Sequence, residues 1–156
     1  MQGNEKVIER LNQALHGELN AVVQYIVQAE TCETWGYGRL AGIIKSRAIE
    51  EMRHAEALIE RLLFFDAAPN VKVALAPVLG ADVPQQFEAG LVDETAAIGQ
   101  YNEAAEVCRE VGDSGSKELF ERLLRDEERH ADFLEAQLHS IKEIGLAPYL
   151  SQQLSR

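Results

Sequence analysis

Two short stretches, EEMRHAE at residues 50–56 and DEERHAD at residues 126–132, each place a glutamate and a histidine three positions apart. On an α-helix that spacing leaves the two side chains about 60° apart on one face. A carboxylate and an imidazole so arranged can grip one cation together, and their oxygen and nitrogen donors suit iron or manganese. The copies, Glu51 with His54 and Glu127 with His130, are separated by 76 residues. The same offset relates Glu18 to Glu94, Gln24 to Gln100, Tyr25 to Tyr101 and Leu58 to Leu134. The chain therefore reads as two similar halves, each bringing one glutamate and one Glu-x-x-His.

The elements that must carry these residues are helices. Apolar residues at helical spacing (Val7, Ile8, Leu11, Leu15, Leu19, Val22) follow the capping residue Asn4 and stop at Gly36 and Gly38. A second helix is predicted from about Arg39 to Phe65, a third from about Pro84 to Val111, and a fourth from about Lys117 to Ile144. Gly145 closes the fourth, and Pro148 can open a short fifth. Tight turns join helices one to two and three to four, which makes two antiparallel hairpins. The link over residues 66–84 holds three of the four prolines and no helical stripe. Fully stretched it spans about 50 Å, against about 40 Å for a helix of this length, so it can run the whole bundle and leave helices two and three parallel. The expected fold is all-α: a single domain over residues 1–156, built as a four-helix bundle with one long crossover and a short C-terminal helix.

Counting from the first turn, Glu18 lies about 19 positions before residue 37 and His54 about 17 after it; Glu94 and His130 repeat this about residue 113. Antiparallel pairing thus puts all six residues near one level at mid-bundle. Four carboxylates buried together repel one another and are poorly solvated. Either cations fill the site or several carboxyls hold protons. With both imidazoles neutral, four negative charges match two divalent ions.

A glutamate from each of two helices plus Glu-x-x-His from the other two is the known signature of ferritin-like di-iron carboxylate proteins. Beyond that class, the chain closely resembles the bacterioferritins over essentially its whole length. The resemblance is carried by HGELNAVVQY around Glu18, EEMRHAE with its Met52, LVDETAAI around Glu94, RDEERHAD around Glu127, and the tail GLAPYLSQQL. It implies a ferroxidase centre with two iron ions per subunit: Glu18 and His54 hold one, Glu94 and His130 the other, and Glu51 and Glu127 bridge them. Ferrous iron is oxidised there by oxygen or hydrogen peroxide and stored as a ferric mineral inside a homo-oligomeric shell of 24 chains built from two-fold dimers. It also implies that Met52 supplies an axial sulfur from each of two chains to one shared haem b or related iron porphyrin. That haem would carry electrons, from a ferredoxin-type reductant, to the mineral for iron release. Some family members place a further iron site one turn before the Glu-x-x-His, where this chain has Ser46 and Glu50.

Read alone, Met52 points away from the six ligands and outward, where it reads first as an interface filler. Tyr25 stands two turns after Glu18 on the same face, so its hydroxyl can bond a ligand carboxylate or give up an electron during oxidation. Cys32 and Cys108 fall toward opposite ends of the bundle and are expected as free buried thiols. His16 and His139 face elsewhere, and Arg53 and Arg129 neutralise nearby acid. The alternative function is another di-iron oxidoreductase, a peroxidase or an oxygenase, with no mineral; two isolated cysteines lack the paired Cys-x-x-Cys of a second iron domain. A hydrogen-bonded core network without metal is the bland structural alternative.

The net charge of −11 argues against nucleic acid or an anionic membrane as partner and favours cations. No run approaches the length of a bilayer span and the opening residues lack an apolar signal core, so a cytoplasmic protein is expected.

Overall fold

A computed structural model of the chain describes residues 1–72 and 80–155. Four long helices and one short one account for most of them: α1 (Glu5–Thr34), α2 (Gly38–Phe64), α3 (Val83–Val111), α4 (Ser114–Ile144) and α5 (Leu146–Ser151). Their starts follow from side-chain caps. Asn4, Asp82 and Asp113 each accept a hydrogen bond from a backbone N–H in the first turn of the helix that follows. Gly112 ends α3 in the left-handed region at φ 74°, a conformation open to glycine at little cost, and the chain turns directly into α4.

Two boundaries differ from the sequence reading. α4 begins at Ser114, three residues before Lys117, because Asp113 binds the Ser116 N–H at 3.0 Å while Arg61 of α2 holds the same carboxylate at 3.1 Å. α5 begins at Leu146, not at Pro148, since proline is tolerated anywhere in a first turn where no N–H is needed.

α1 packs against α2, α3 against α4, and α1 against α3. The link between α2 and α3 starts beside the beginning of α1, where Asp66 pairs with the Met1 ammonium at 2.6 Å. It then climbs α1: the Asn70 N–H donates to Asn12 Oδ1 at 2.8 Å, and the Lys72 carbonyl lies 2.6 Å from His16 Nδ1. Residues 73–79 of the expected link lie outside the described residues. Where the chain resumes, Gln86 near the start of α3 bonds Cys32 near the end of α1. α3 therefore runs antiparallel to α1 and parallel to α2, as a single long crossover requires.

The core divides into two apolar clusters. One holds Leu11, Leu15, Leu58, Leu62, Phe120 and Leu123, and the other holds Ala29, Leu40, Ile44, Phe87, Leu134 and Tyr149. Cys108 belongs to the first and Cys32 to the second, and both are free thiols. Among the described residues no helix is long and apolar enough to cross a membrane. Leu58 is fully buried in the first cluster, one turn from His54. Leu58→Ala is expected to lower unfolding stability by about 2–5 kcal/mol, measured by urea denaturation, through lost apolar burial and the cavity left behind. A cost under about 1 kcal/mol would show that this cluster is not the packed core described.

Candidate metal centre

The layer between the two apolar clusters is polar. Glu18 from α1, Glu51 and His54 from α2, Glu94 from α3, and Glu127 and His130 from α4 all converge there, each buried. Two overlapping sets emerge, Glu18–Glu51–His54–Glu127 and Glu51–Glu94–Glu127–His130, each offering ligand atoms that lie within 4.8 Å of one another. Glu51 and Glu127 belong to both. The imidazoles stack nearly parallel, 6.3 Å apart at 14°.

Both rings turn Nδ1 inward. His54 Nδ1 lies 3.1 Å from Glu127 and 3.5 Å from Glu18; His130 Nδ1 lies 2.9 Å from Glu51, 3.2 Å from Glu127 and 3.5 Å from Glu94. Proximity does not amount to pairing here. Glu18 Oε2, Glu51 Oε1, Glu127 Oε2 and His130 Nδ1 are buried without a hydrogen-bond partner, although Glu51 Oε1 and His130 Nδ1 are neighbours. Unpaired buried polar atoms are costly. Four of them around one point are a donor set suited to a cation.

The tyrosines fix two of the carboxylates across the bundle. Tyr25 of α1 donates to Glu94 of α3, and Tyr101 of α3 donates to Glu18 of α1. Tyr25 thus serves the glutamate of the opposite hairpin, not its own-helix neighbour Glu18. Burial, together with Glu94 beside Tyr25 and Glu18 beside Tyr101, holds both hydroxyls well above their usual range, so they stay protonated and act as donors.

Without metal the layer balances its charge with protons. Burial, reinforced by Glu18 and Glu127, pushes the Glu51 carboxyl far upward, so it is neutral. Burial with help from Glu127 raises Glu94 to about 7, against the pull of His130 and Tyr25. Burial works against charge on Glu18 and Glu127 too, but their hydrogen bonds outweigh it and leave both below the usual range. Burial likewise opposes protonation of the imidazoles, yet the carboxylates around them prevail: Glu127 and Glu18 raise His54 to about 11, and Glu127 and Glu94 raise His130 to about 10. Two carboxylates face two imidazolium ions.

Three groups outside the six matter. The outer nitrogen of each imidazole meets a second carboxylate from the other hairpin, Asp126 for His54 and Glu50 for His130. Sequence reasoning passed over this role, although positions 50 and 126 obey the offset of 76. Arg129 pairs with both carboxylates, as its charge suggested. On the opposite side, a cavity of about 250 Å³ lies between α1 and α3. Gly17, Asn20, Ala21, Asp93 and Gln100 line it, and all four buried glutamates of the layer reach it. Met52 stands apart, exposed on the surface with Ile49 one turn earlier. His16 binds the crossover and takes no part in the layer.

Comparison with known proteins agrees with this architecture. Residues 8–144 match the ferritin-like domain family. A protein called bacterioferritin from Brucella melitensis is 46% identical over 149 residues, covering 96% of this chain and 92% of its own length. Bacterioferritins from Rhodobacter capsulatus and Mycolicibacterium paratuberculosis are 41% and 37% identical, covering 93% and 100% of this chain and 90% and 98% of their own.

Two divalent ions entering the layer must displace the protons on His54, His130 and Glu51 and part of that on Glu94. Anaerobic addition of Zn²⁺ at pH 7 is expected to release about three to four protons per two ions bound, read with an indicator dye. Because the protons held on His54, His130 and Glu51 compete with metal across this range, affinity should rise from pH 6 to pH 8, most steeply below about 7, where Glu94 is protonated as well. Release of fewer than about one proton would contradict the charge balance described.

Proposed function

From the premise that this chain belongs to the bacterioferritins, within the ferritin-like family, we propose that it oxidises ferrous iron at the six-residue layer and stores the product as a ferric mineral in a shell of 24 copies. The observation that carries this reading is the sharing of Glu51 and Glu127 by two ligand sets. Glu18 with His54 holds one ferrous ion, Glu94 with His130 the other, and the shared carboxylates bridge them. Two ferrous ions held side by side give up two electrons together. With two protons, those electrons reduce dioxygen to hydrogen peroxide, or hydrogen peroxide to water, and no one-electron radical need escape.

The protein's own groups prepare this step. Ion binding removes the protons on the imidazoles and on Glu51, which turns them into ligands. Tyr25 and Tyr101 keep Glu94 and Glu18 aimed, and Tyr25 is also placed to give an electron during oxidation. The cavity between α1 and α3 offers ferrous ions an approach, since its walls are small residues and its amides and carboxylates favour a hydrated cation. An oxygenase would need room for an organic substrate. The cavity alone does not separate the two readings; the full-length likeness to bacterioferritins favours iron oxidation.

Haem fits Met52, a residue 46% exposed and a member of neither apolar cluster, with Ile49 exposed at 42% beside it. A two-fold contact through this face would present the residue twice, so Met52 from each of two chains would hold one shared haem. When bound there, haem supplies a relay for electrons from a ferredoxin-type reductant to the ferric mineral. The setting we propose is the cytoplasm.

Glu51→Ala removes a ligand from both ions and is expected to slow initial ferrous oxidation about 100-fold or more, followed by oxygen consumption and the near-ultraviolet ferric absorbance. Met52→Leu should abolish the haem Soret band yet leave ferrous oxidation intact. Unimpaired oxidation in the Glu51 variant, or a retained bis-methionine spectrum in the Met52 variant, would contradict the assignments.

A further inference from the structure

We infer that the cavity between α1 and α3 admits small, uncharged organic hydroperoxides, which serve as oxidants for the ferrous pair and leave as the alcohol and water. The inference rests on the iron-oxidising reading of the preceding section and adds a class of substrate to it. Size is the first argument. An apolar cavity of about 150 Å³ holds a benzene molecule, and a single water takes about 30 Å³ of liquid. The cavity here encloses about 250 Å³, far more than dioxygen or hydrogen peroxide fills and enough for a short or branched alkyl group. Its exposed lining residues, Gly17, Asp93, Ala96 and Gln100, open it to solvent, and its inner end reaches the four buried glutamates.

The walls suit a molecule with one apolar and one hydrogen-bonding end. Ala14, Ala21, Ala96 and Ala97 line the cavity together with Gly17 and Gly90, so an alkyl group finds short apolar side chains around it. A Cβ added at Gly17 would meet Gln100 Oε1 at 3.9 Å and nothing nearer, which marks open room on that side. Asn20 supplies the polar contact. Its Oδ1 is buried without a hydrogen-bond partner, although Asn20 is not one of the six residues of the layer. An orphaned acceptor suits the O–H of a hydroperoxide, whereas dioxygen has no hydrogen to offer. Charge sets the limit: Asp93 and the glutamates repel an anionic hydroperoxide such as that of a fatty acid. The electrons balance with no further reactant. The O–O bond breaks, two ferrous ions give one electron each, two protons are taken up, the outer oxygen leaves as water and the inner one stays in the alcohol.

Assembled protein, loaded anaerobically with two ferrous ions per chain, is mixed in a stopped-flow cell with tert-butyl hydroperoxide, hydrogen peroxide or linoleic acid hydroperoxide, and the ferric absorbance is followed. Loading first removes iron entry from the measurement. The tert-butyl compound should oxidise bound iron faster than it oxidises ferrous ion in buffer. It should yield one tert-butyl alcohol per two ferrous ions and no acetone, the fragment that one-electron cleavage gives. Linoleic acid hydroperoxide, long and anionic, should react at least about 10-fold more slowly. Gly17→Leu places a better helix former into open space. It should lower the ratio of the tert-butyl rate to the hydrogen peroxide rate about 10-fold or more, and Gly17→Ala should change that ratio by less than about twofold. Asn20→Ala should raise the half-saturating concentration of the tert-butyl compound about 3–10-fold, with a smaller change in the limiting rate. Independently of turnover, pressurised xenon should occupy this cavity in crystals of the metal-free wild type and be lost from Gly17→Leu. Acetone as the main product, equal reaction of the fatty-acid compound, an unchanged ratio in Gly17→Leu or a cavity without xenon would overturn the inference. If hydrogen peroxide oxidises the loaded iron and tert-butyl hydroperoxide does not, the inference falls and the iron-oxidising reading stands. If the chain takes up no pair of ferrous ions, both fall.

Discussion

Four carboxylates and two imidazoles share one dry layer, and their mutual repulsion and desolvation must be offset before the bundle is stable. The six groups are all buried, and several of their inward atoms have no partner within the protein. Protons on Glu51 and the imidazoles meet part of this demand. A pair of cations would meet all of it, replacing held protons with metal and giving each orphaned oxygen and nitrogen something to bind. The tension built into the layer is thus the affinity it would offer to such a pair of cations.

Much of the remaining structure follows from that layer. The apolar core is split into two clusters, one at each end, which hold the helices in register on both sides of it. Small residues along α1 and α3 leave a cavity that reaches the carboxylates, while the α2 and α4 side is closed by the imidazoles and their anchors. Access and anchorage occupy opposite faces of the same site. Tyr25, Tyr101, Glu50 and Asp126 all act across hairpins, so the layer is organised only when both halves of the chain have docked.

The sequence carried the fold and the convergence of the six side chains clearly, because both depend on simple periodicity. Helical spacing put Glu51 beside His54, and distances from the turns put the two halves level. Other features depend on lateral placement between helices, which periodicity leaves undetermined. The spacing from Glu18 to Tyr25 suggested that the hydroxyl bonds a ligand carboxylate without saying which, and the bundle's geometry gives it Glu94. Glu50 and Asp126 obeyed the 76-residue offset in plain view, but their task appears only once α2 and α4 face each other. The early start of α4 needed knowledge that Arg61 reaches Asp113 from another helix. Pro148 suggested the tail helix two residues late because its ring is compatible with more than one first-turn position.

Crystals loaded anaerobically with ferrous iron and measured on both sides of the iron absorption edge test the central claim most directly. Two anomalous peaks per chain are expected inside the layer, one bonded to Glu18 and His54, the other to Glu94 and His130, with Glu51 and Glu127 touching both. A layer without anomalous signal, its side chains still bonded to one another while iron sits elsewhere on the protein, would contradict the account.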